Sequence, residues 1–157
     1  MDLVSVSISG LNNEYLTLIS SLIDNLIIFS LIVLFIIFYF EKNENKRKKL
    51  FIAVILAFLI GTMVKEIYQI ERPCIALDSK IKCSLGYSFP SIHSIVMFTL
   101  ALGFLDDKKY ILIIVLGVFV AFTRIYLGIH TFFDVAGALV LSTIVYGIVD
   151  YYWRKRK

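Results

Sequence analysis

The stretch Thr123 to Asp134, Thr-Arg-Ile-Tyr-Leu-Gly-Ile-His-Thr-Phe-Phe-Asp, holds the densest group of reactive side chains in the sequence. It lies between two apolar runs, where ionisable groups are costly and mark function. His130 and Asp134 are four apart, so a helix running from about Ile129 puts both on one face. A carboxylate there holds one imidazole nitrogen as N–H and leaves the other free to attack or to shuttle a proton. Arg124, a permanent forked cation, suits a phosphate or carboxylate. Taken alone, the same residues also describe a buried His–Asp pair and an arginine snorkelling to an interface.

Two further motifs carry the same kind of chemistry. In Lys65-Glu-Ile-Tyr-Gln-Ile-Glu-Arg72-Pro73 the two cations are seven apart, two helical turns, and project from one side of a helix that ends near Arg72, before Pro73. In Ser88-Phe89-Pro90-Ser91-Ile92-His93 a proline beside a serine marks a helix start. The free N–H groups of such a start, with the positive end of the helix dipole, attract anions. His93 falls in that first turn, within reach of a group leaving the anion. Both histidines of the chain lie in these motifs. Cations and an anion-binding helix start point to a phosphoryl group, His130 with Asp134 to a nucleophile, and His93 to an acid. So cationic a set is a poor metal site, and the chemistry it describes is metal-free phosphoryl transfer, without a cofactor.

The elements that must position these residues are membrane spans. Of 157 residues 59% are hydrophobic, and mean hydropathy is +0.86, so lipid is the solvent. The net charge of +4 does not indicate nucleic acid, because the basic residues cluster beside apolar runs as positive-inside residues do. Met1 to Ser21 is mixed and reads as an interfacial helix or a sixth span. Clear spans follow at Leu22–Phe40, Leu50 to about Tyr68, Pro90–Leu105, Tyr110 to about Tyr126, and His130–Trp153. Charged segments Glu41–Lys49 and Asp106–Lys109 join them on one side, and the long connection Ile70–Phe89 lies on the other.

Threading these spans with Lys42, Lys46, Arg47, Lys48 and Lys49 inside also brings in Lys108, Lys109, Arg154, Lys155, Arg156 and Lys157, 11 of the 16 basic residues. The fold class is then an all-α polytopic transmembrane bundle, a single domain over 1–157. The N-terminus and the motifs 65–73, 90–93 and 123–134 lie outside the cell membrane and the C-terminus lies in the cytoplasm. Cys74 and Cys83, in the outer loop, are expected to form a disulfide on that oxidising side.

Lys-x6-Arg-Pro, Pro-Ser-x-His and Thr-Arg-x5-His-x3-Asp together resemble the signature of the type 2 phosphatidic acid phosphatase (PAP2) superfamily, from Lys65 to Asp134. The superfamily includes membrane lipid phosphatases, polyprenyl pyrophosphate phosphatases, soluble acid phosphatases and vanadium haloperoxidases. The resemblance implies that His130 forms a phosphohistidine, that Asp134 orients it and that His93 protonates the leaving group. It implies a phosphate cradle of Lys65, Arg72, Arg124, the Ser91 side chain and the Ile92 amide. Two positions depart from the pattern: Ile92 stands where glycine is usual, and Thr123 where serine is usual. The expected activity is removal of phosphate from a lipid at the outer face, with a polyprenyl pyrophosphate favoured over phosphatidic acid or phosphatidylglycerol phosphate. Phosphotransfer to an acceptor, or lipid binding and transport without catalysis, are the alternatives.

Overall fold

A computed structural model describes residues 2–75, 79–108 and 110–156. Met1, Lys109 and Lys157, which entered the N-terminal segment, turn and tail assignments above, lie outside the described residues. The fold is all-α. Seven α-helices are described: α1 (Leu3–Ser9), α2 (Glu14–Asp24), α3 (Leu26–Phe35), α4 (Glu44–Tyr68), α5 (Ile92–Gly103), α6 (Tyr110–Tyr126) and α7 (Phe132–Lys155). A π-helical turn, Ile36–Phe40, extends α3, and a 3-10 turn, Pro73–Ile75, follows α4.

Two helices, α4 and α7, are long and apolar enough to cross a membrane, and α2 with α3 and its extension makes a third if that bent pair is one span. This is a membrane protein. At 1.5 Å per residue α4 is about 37 Å long, more than a hydrocarbon core. By contrast α5 has 12 residues, about 18 Å, and nine of them are buried. It is the central helix, wrapped by α4, α6 and α7. The outer helices turn Phe51, Ile55 and Leu59 of α4, Val115 and Val118 of α6, and Val140, Ile144 and Ile148 of α7 away from the core. That apolar exterior is the inverse of a water-soluble bundle.

The N-terminal third differs from the sequence expectation. Leu22–Phe40 is not one continuous helix: Leu22–Asp24 close α2, and the chain bends by 81° before α3 continues. Asn25 causes the bend. Its backbone leaves the helical region (ψ 117°), and its side chain accepts from the Ile27 and Ile28 amides at 3.0 and 3.2 Å, starting a new helix. Before it lie two helices rather than one interfacial helix, α1 capped by Asp2 and α2 capped by Asn13. Both dock on the bundle. The buried Tyr126 hydroxyl meets Asn13 N and O at 3.0 and 2.9 Å and Thr17 Oγ1 at 2.8 Å, and the Ser5 hydroxyl accepts from the Phe132 amide at 2.7 Å.

Candidate active site

The turn from α6 to α7 builds the first half of the site. Gly128 at φ +75° reverses the chain after Leu127, and Leu127 and Ile129 bury on either side of it. Thr131 then caps α7 in a capping box with Asp134, so His130 precedes the helix. The pairing of His130 with Asp134 therefore does not come from a shared helical face. Asp134 reaches back over the helix start, and its Oδ2 meets the Thr131 amide at 2.7 Å, His130 Nδ1 at 3.3 Å and the Ser88 hydroxyl. Burial pushes the His130 imidazole down to about 4, against the opposing pull of Asp134. At neutral pH the ring is uncharged, with its proton on Nδ1 toward Asp134 and a lone pair on Nε2.

Arg72 faces that lone pair. Its Nη1 lies 3.4 Å from His130 Nε2 and 3.4 Å from the Ile129 carbonyl. It does so from a loop, not from two turns beyond Lys65 on one helix. α4 ends at Tyr68 because Gln69 takes a left-handed conformation (φ 48°), four residues before Pro73 could act. Lys65 remains in the last turn of α4, where its Nζ donates to the Tyr87 and Ser88 carbonyls at 2.7 and 2.9 Å. Arg124, fully buried near the end of α6, donates from Nη1 to Asp24 at 2.7 Å and from Nη2 to the Ser20 carbonyl at 3.0 Å.

The start of α5 supplies the rest. Ser91 occupies the N-cap and its amide donates to the Asp134 carbonyl at 3.2 Å, tying α5 to α7. Its side chain does not cap the helix; the hydroxyl accepts from Ser94 at 2.9 Å. Pro90 lies before the cap, after a cis bond from Phe89, and not in the first helical turn. Ile92 is the first helical residue, and its Cδ1 sits 2.9 Å from where a Cβ on Gly61 of α4 would be. The side chain that replaces the usual glycine thus finds its space at a glycine on the facing helix. His93 stacks obliquely on Phe29, with ring centroids 4.3 Å apart, and lies within Coulombic range of Arg124, His130, Arg72 and Lys65. Two buried nitrogens here, His93 Nε2 and Arg72 Nε, have no hydrogen-bond partner among the described residues.

The structure thus gathers Lys65, Arg72, Ser91, Ile92, His93, Arg124, His130 and Asp134 around one end of the bundle. The sequence model of the PAP2 superfamily matches residues 46–157, which include all eight. The chain belongs to the PAP2 superfamily. It is 25% identical over 120 residues to undecaprenyl-diphosphatase BcrC of Bacillus subtilis, covering 73% of this chain and 62% of that protein. It is 24% identical over 125 residues to sphingosine-1-phosphate phosphatase 2 of Mus musculus, covering 71% and 35%. The chain therefore spans about a third of one relative and less than two thirds of the other. Its fold matches the crystal structure of Aquifex aeolicus LpxE with a TM-score of 0.77 at 22% identity, over 95% of this chain and 93% of that one.

Within this candidate site some participants carry no role in the sequence motifs. Ser88 belongs to the second motif, yet its bond to Asp134 depends on folding the loop back over 46 residues. Asp24 and Phe29 lie outside the matched region and arrive through the Asn25 bend. For Asp24 a signal existed: a carboxylate inside an apolar run needs a partner. Cys74 and Cys83 are joined, with Cα atoms 5.6 Å apart, and Cys74 packs against the buried cluster of Tyr126, Leu127 and Ile129. The loop that carries Arg72 is thereby fastened beside the turn that carries His130.

Proposed function

We propose that this chain is a membrane phosphatase that removes phosphate from a lipid phosphate or lipid pyrophosphate through a metal-independent phosphohistidine. One observation carries the reading: His130 gives Nδ1 to Asp134 and turns Nε2 to the Arg72 guanidinium. An uncharged imidazole with an oriented lone pair, beside a cation, is what attack on a bound phosphoryl group requires. Nε2 of His130 bonds to phosphorus as the bond to the leaving oxygen breaks, and His93 gives that oxygen its proton. Water then cleaves the N–P bond, with His93 as base. Lys65, Arg72 and Arg124 hold the non-bridging oxygens, with the Ser91 hydroxyl and the Ile92 amide at the start of α5.

The substrate's lipid character is supported by an apolar cavity of about 340 Å³ between α3 and α4, lined by Phe29, Val33, Phe58, Ile92 and Val96 and bordered by His93. A tail lying there brings its head group to the imidazole. We favour a polyprenyl pyrophosphate, on the likeness to the Bacillus diphosphatase, with phosphatidic acid and phosphatidylglycerol phosphate next. We further propose five crossings, by α3 with its extension and by α4 to α7. The basic start of α4 and end of α7 then face the cytoplasm, and the site faces outward.

The test is phosphate release by the purified protein in detergent with EDTA, using undecaprenyl pyrophosphate, phosphatidic acid and phosphatidylglycerol phosphate beside His130→Ala. Release that vanishes in the variant supports the phosphohistidine route, and the preferred lipid names the substrate. Release from none of the three, or release indifferent to His130, overturns it.

A further inference from the structure

Arg124 is the most enclosed cation of the site, and it is held from outside the region shared with the superfamily. A guanidinium has five N–H donors. Here Nε and Nη2 donate to the Thr123 hydroxyl at 3.2 and 3.0 Å, Nη2 to the Ser20 carbonyl at 3.0 Å and Nη1 to Asp24 Oδ1 at 2.7 Å. Among the described residues, one Nη1 hydrogen remains. Thr123 is the adjacent residue on α6, so among the described residues the only anchors from elsewhere in the fold are the Ser20 carbonyl and the Asp24 carboxylate of α2. Asp24 reaches Arg124 because it is the last residue of α2 and Asn25 turns the chain by 81° immediately after it. It also lies within Coulombic range of Arg72.

We propose that Asp24 is a positioning residue for phosphoryl transfer, fixing the Arg124 fork so that its remaining Nη1 N–H meets a phosphoryl oxygen in the transition state. This rests on the phosphatase reading above. The carboxylate and the Thr123 hydroxyl hold different nitrogens of the planar group, so its rotation about Cδ–Nε is blocked. Without Asp24 the planar group keeps the Thr123 hydroxyl and the Ser20 carbonyl on its Nε and Nη2 side, and its Nη1 side is held less firmly. The bend between α2 and α3 thereby becomes part of the reaction centre instead of a detail of membrane entry. Since the aimed hydrogen matters most where charge develops, the effect falls on kcat more than on KM.

The experiment is a double-mutant cycle of Asp24→Asn and Arg124→Ala, read as kcat and KM on whichever lipid of the panel the unaltered chain turns over fastest. Thermal unfolding of each variant is followed in parallel. The expected result is a fall in kcat of about tenfold or more for Asp24→Asn with KM within about threefold, and a change of less than about twofold when Arg124 is already alanine. If Asp24→Asn does not fold, Asp24→Glu, which keeps the charge but shifts it by one methylene, carries the same comparison. Asp24 variants that keep the full kcat while Arg124→Ala loses it, or losses that multiply independently, overturn the positioning role alone. An unaltered chain without activity, or one indifferent to Arg124→Ala, overturns the phosphatase reading beneath it.

Discussion

The two ends of this helix bundle treat charge in opposite ways. At the end carrying the basic clusters, several cations are matched by carboxylates: Lys46 with Glu41 at 3.2 Å, Lys49 with Asp150 at 2.7 Å, and Arg154 with the other oxygen of Asp150 at 2.7 Å. At the site end, Lys65 and Arg72 are held by backbone carbonyls and an imidazole, and among the described residues only Arg124 has a carboxylate of its own. Carbonyls orient a cation without cancelling it. Much of the charge at the basic end is therefore paired, while the site end keeps positive charge and, among the described residues, two unpartnered buried nitrogens for an anion to engage. The difference teaches that a cluster of cations becomes a candidate site when its partners leave the charge in place.

The largest effect that can break this contrast comes from the group facing the uncancelled charge. His130→Ala is expected to lower kcat by about four orders of magnitude, as loss of a covalent nucleophile does. Its pH signature is distinctive. An imidazole held at about 4 stays unprotonated as pH falls from 7 to 5, so its acid limb in kcat/KM lies near pH 4 and not near the usual 6.5. A limb near 6.5 that disappears in Asp134→Asn would count against the neutral, buried imidazole. Next in size is Arg72→Ala, with a loss of about 10² to 10³-fold, the scale of one stabilising donor at a developing charge. Arg72→Lys is expected to recover little of it, because a single ammonium replaces a fork that spans Ile129 and His130. A full recovery would reduce Arg72 to a point charge.

Ser88→Ala tests a finer element. The Ser88 hydroxyl is one of three groups on Asp134 Oδ2, and its carbonyl also holds Lys65. Removing the hydroxyl leaves the carbonyl and the carboxylate, so a fall of about three- to tenfold in kcat is expected, with KM unchanged, measured by steady-state turnover. No change in kcat would make Ser88 a spacer in the loop.

Much of this was legible in the sequence because membrane segments announce themselves by composition and because lone histidines in such a chain are conspicuous. The pairing of His130 with Asp134 was legible from spacing, though the spacing works through a capping box at Thr131 and not through a shared face. Local conformation was harder. Nothing in a glutamine signals a left-handed residue, so Gln69 ending α4 and lifting Arg72 off the helix was hidden, and Pro73 drew the boundary too late. Asn25 is an instructive miss: a good N-cap residue beside Asp24 inside an apolar run is a break signal, outweighed there by hydropathy. Contacts such as Lys49 with Asp150, 101 residues apart, follow only from the packing of α4 against α7.

That last pair sharpens the comparison with the smallest effect on activity. Lys49 and Asp150 are mostly buried, with side chains 14% and 19% exposed, and they join the start of α4 to the end of α7. Lys49→Ala removes one partner and leaves Asp150 with Arg154, which is largely exposed, so the expected cost is about 1–3 kcal/mol of stability in thermal unfolding. Turnover at a temperature where the variant remains folded is expected to stay within about twofold of the parent, since loss of a structural pair far from the reacting groups changes stability and not the barrier. Lys65→Ala, one cation exchanged for the same residue on the same helix, is expected to invert that pattern and cost turnover more than melting temperature. Equal effects of the two substitutions on both measurements would mean that the paired and the unpaired ends are not functionally different, and the electrostatic contrast would describe packing alone.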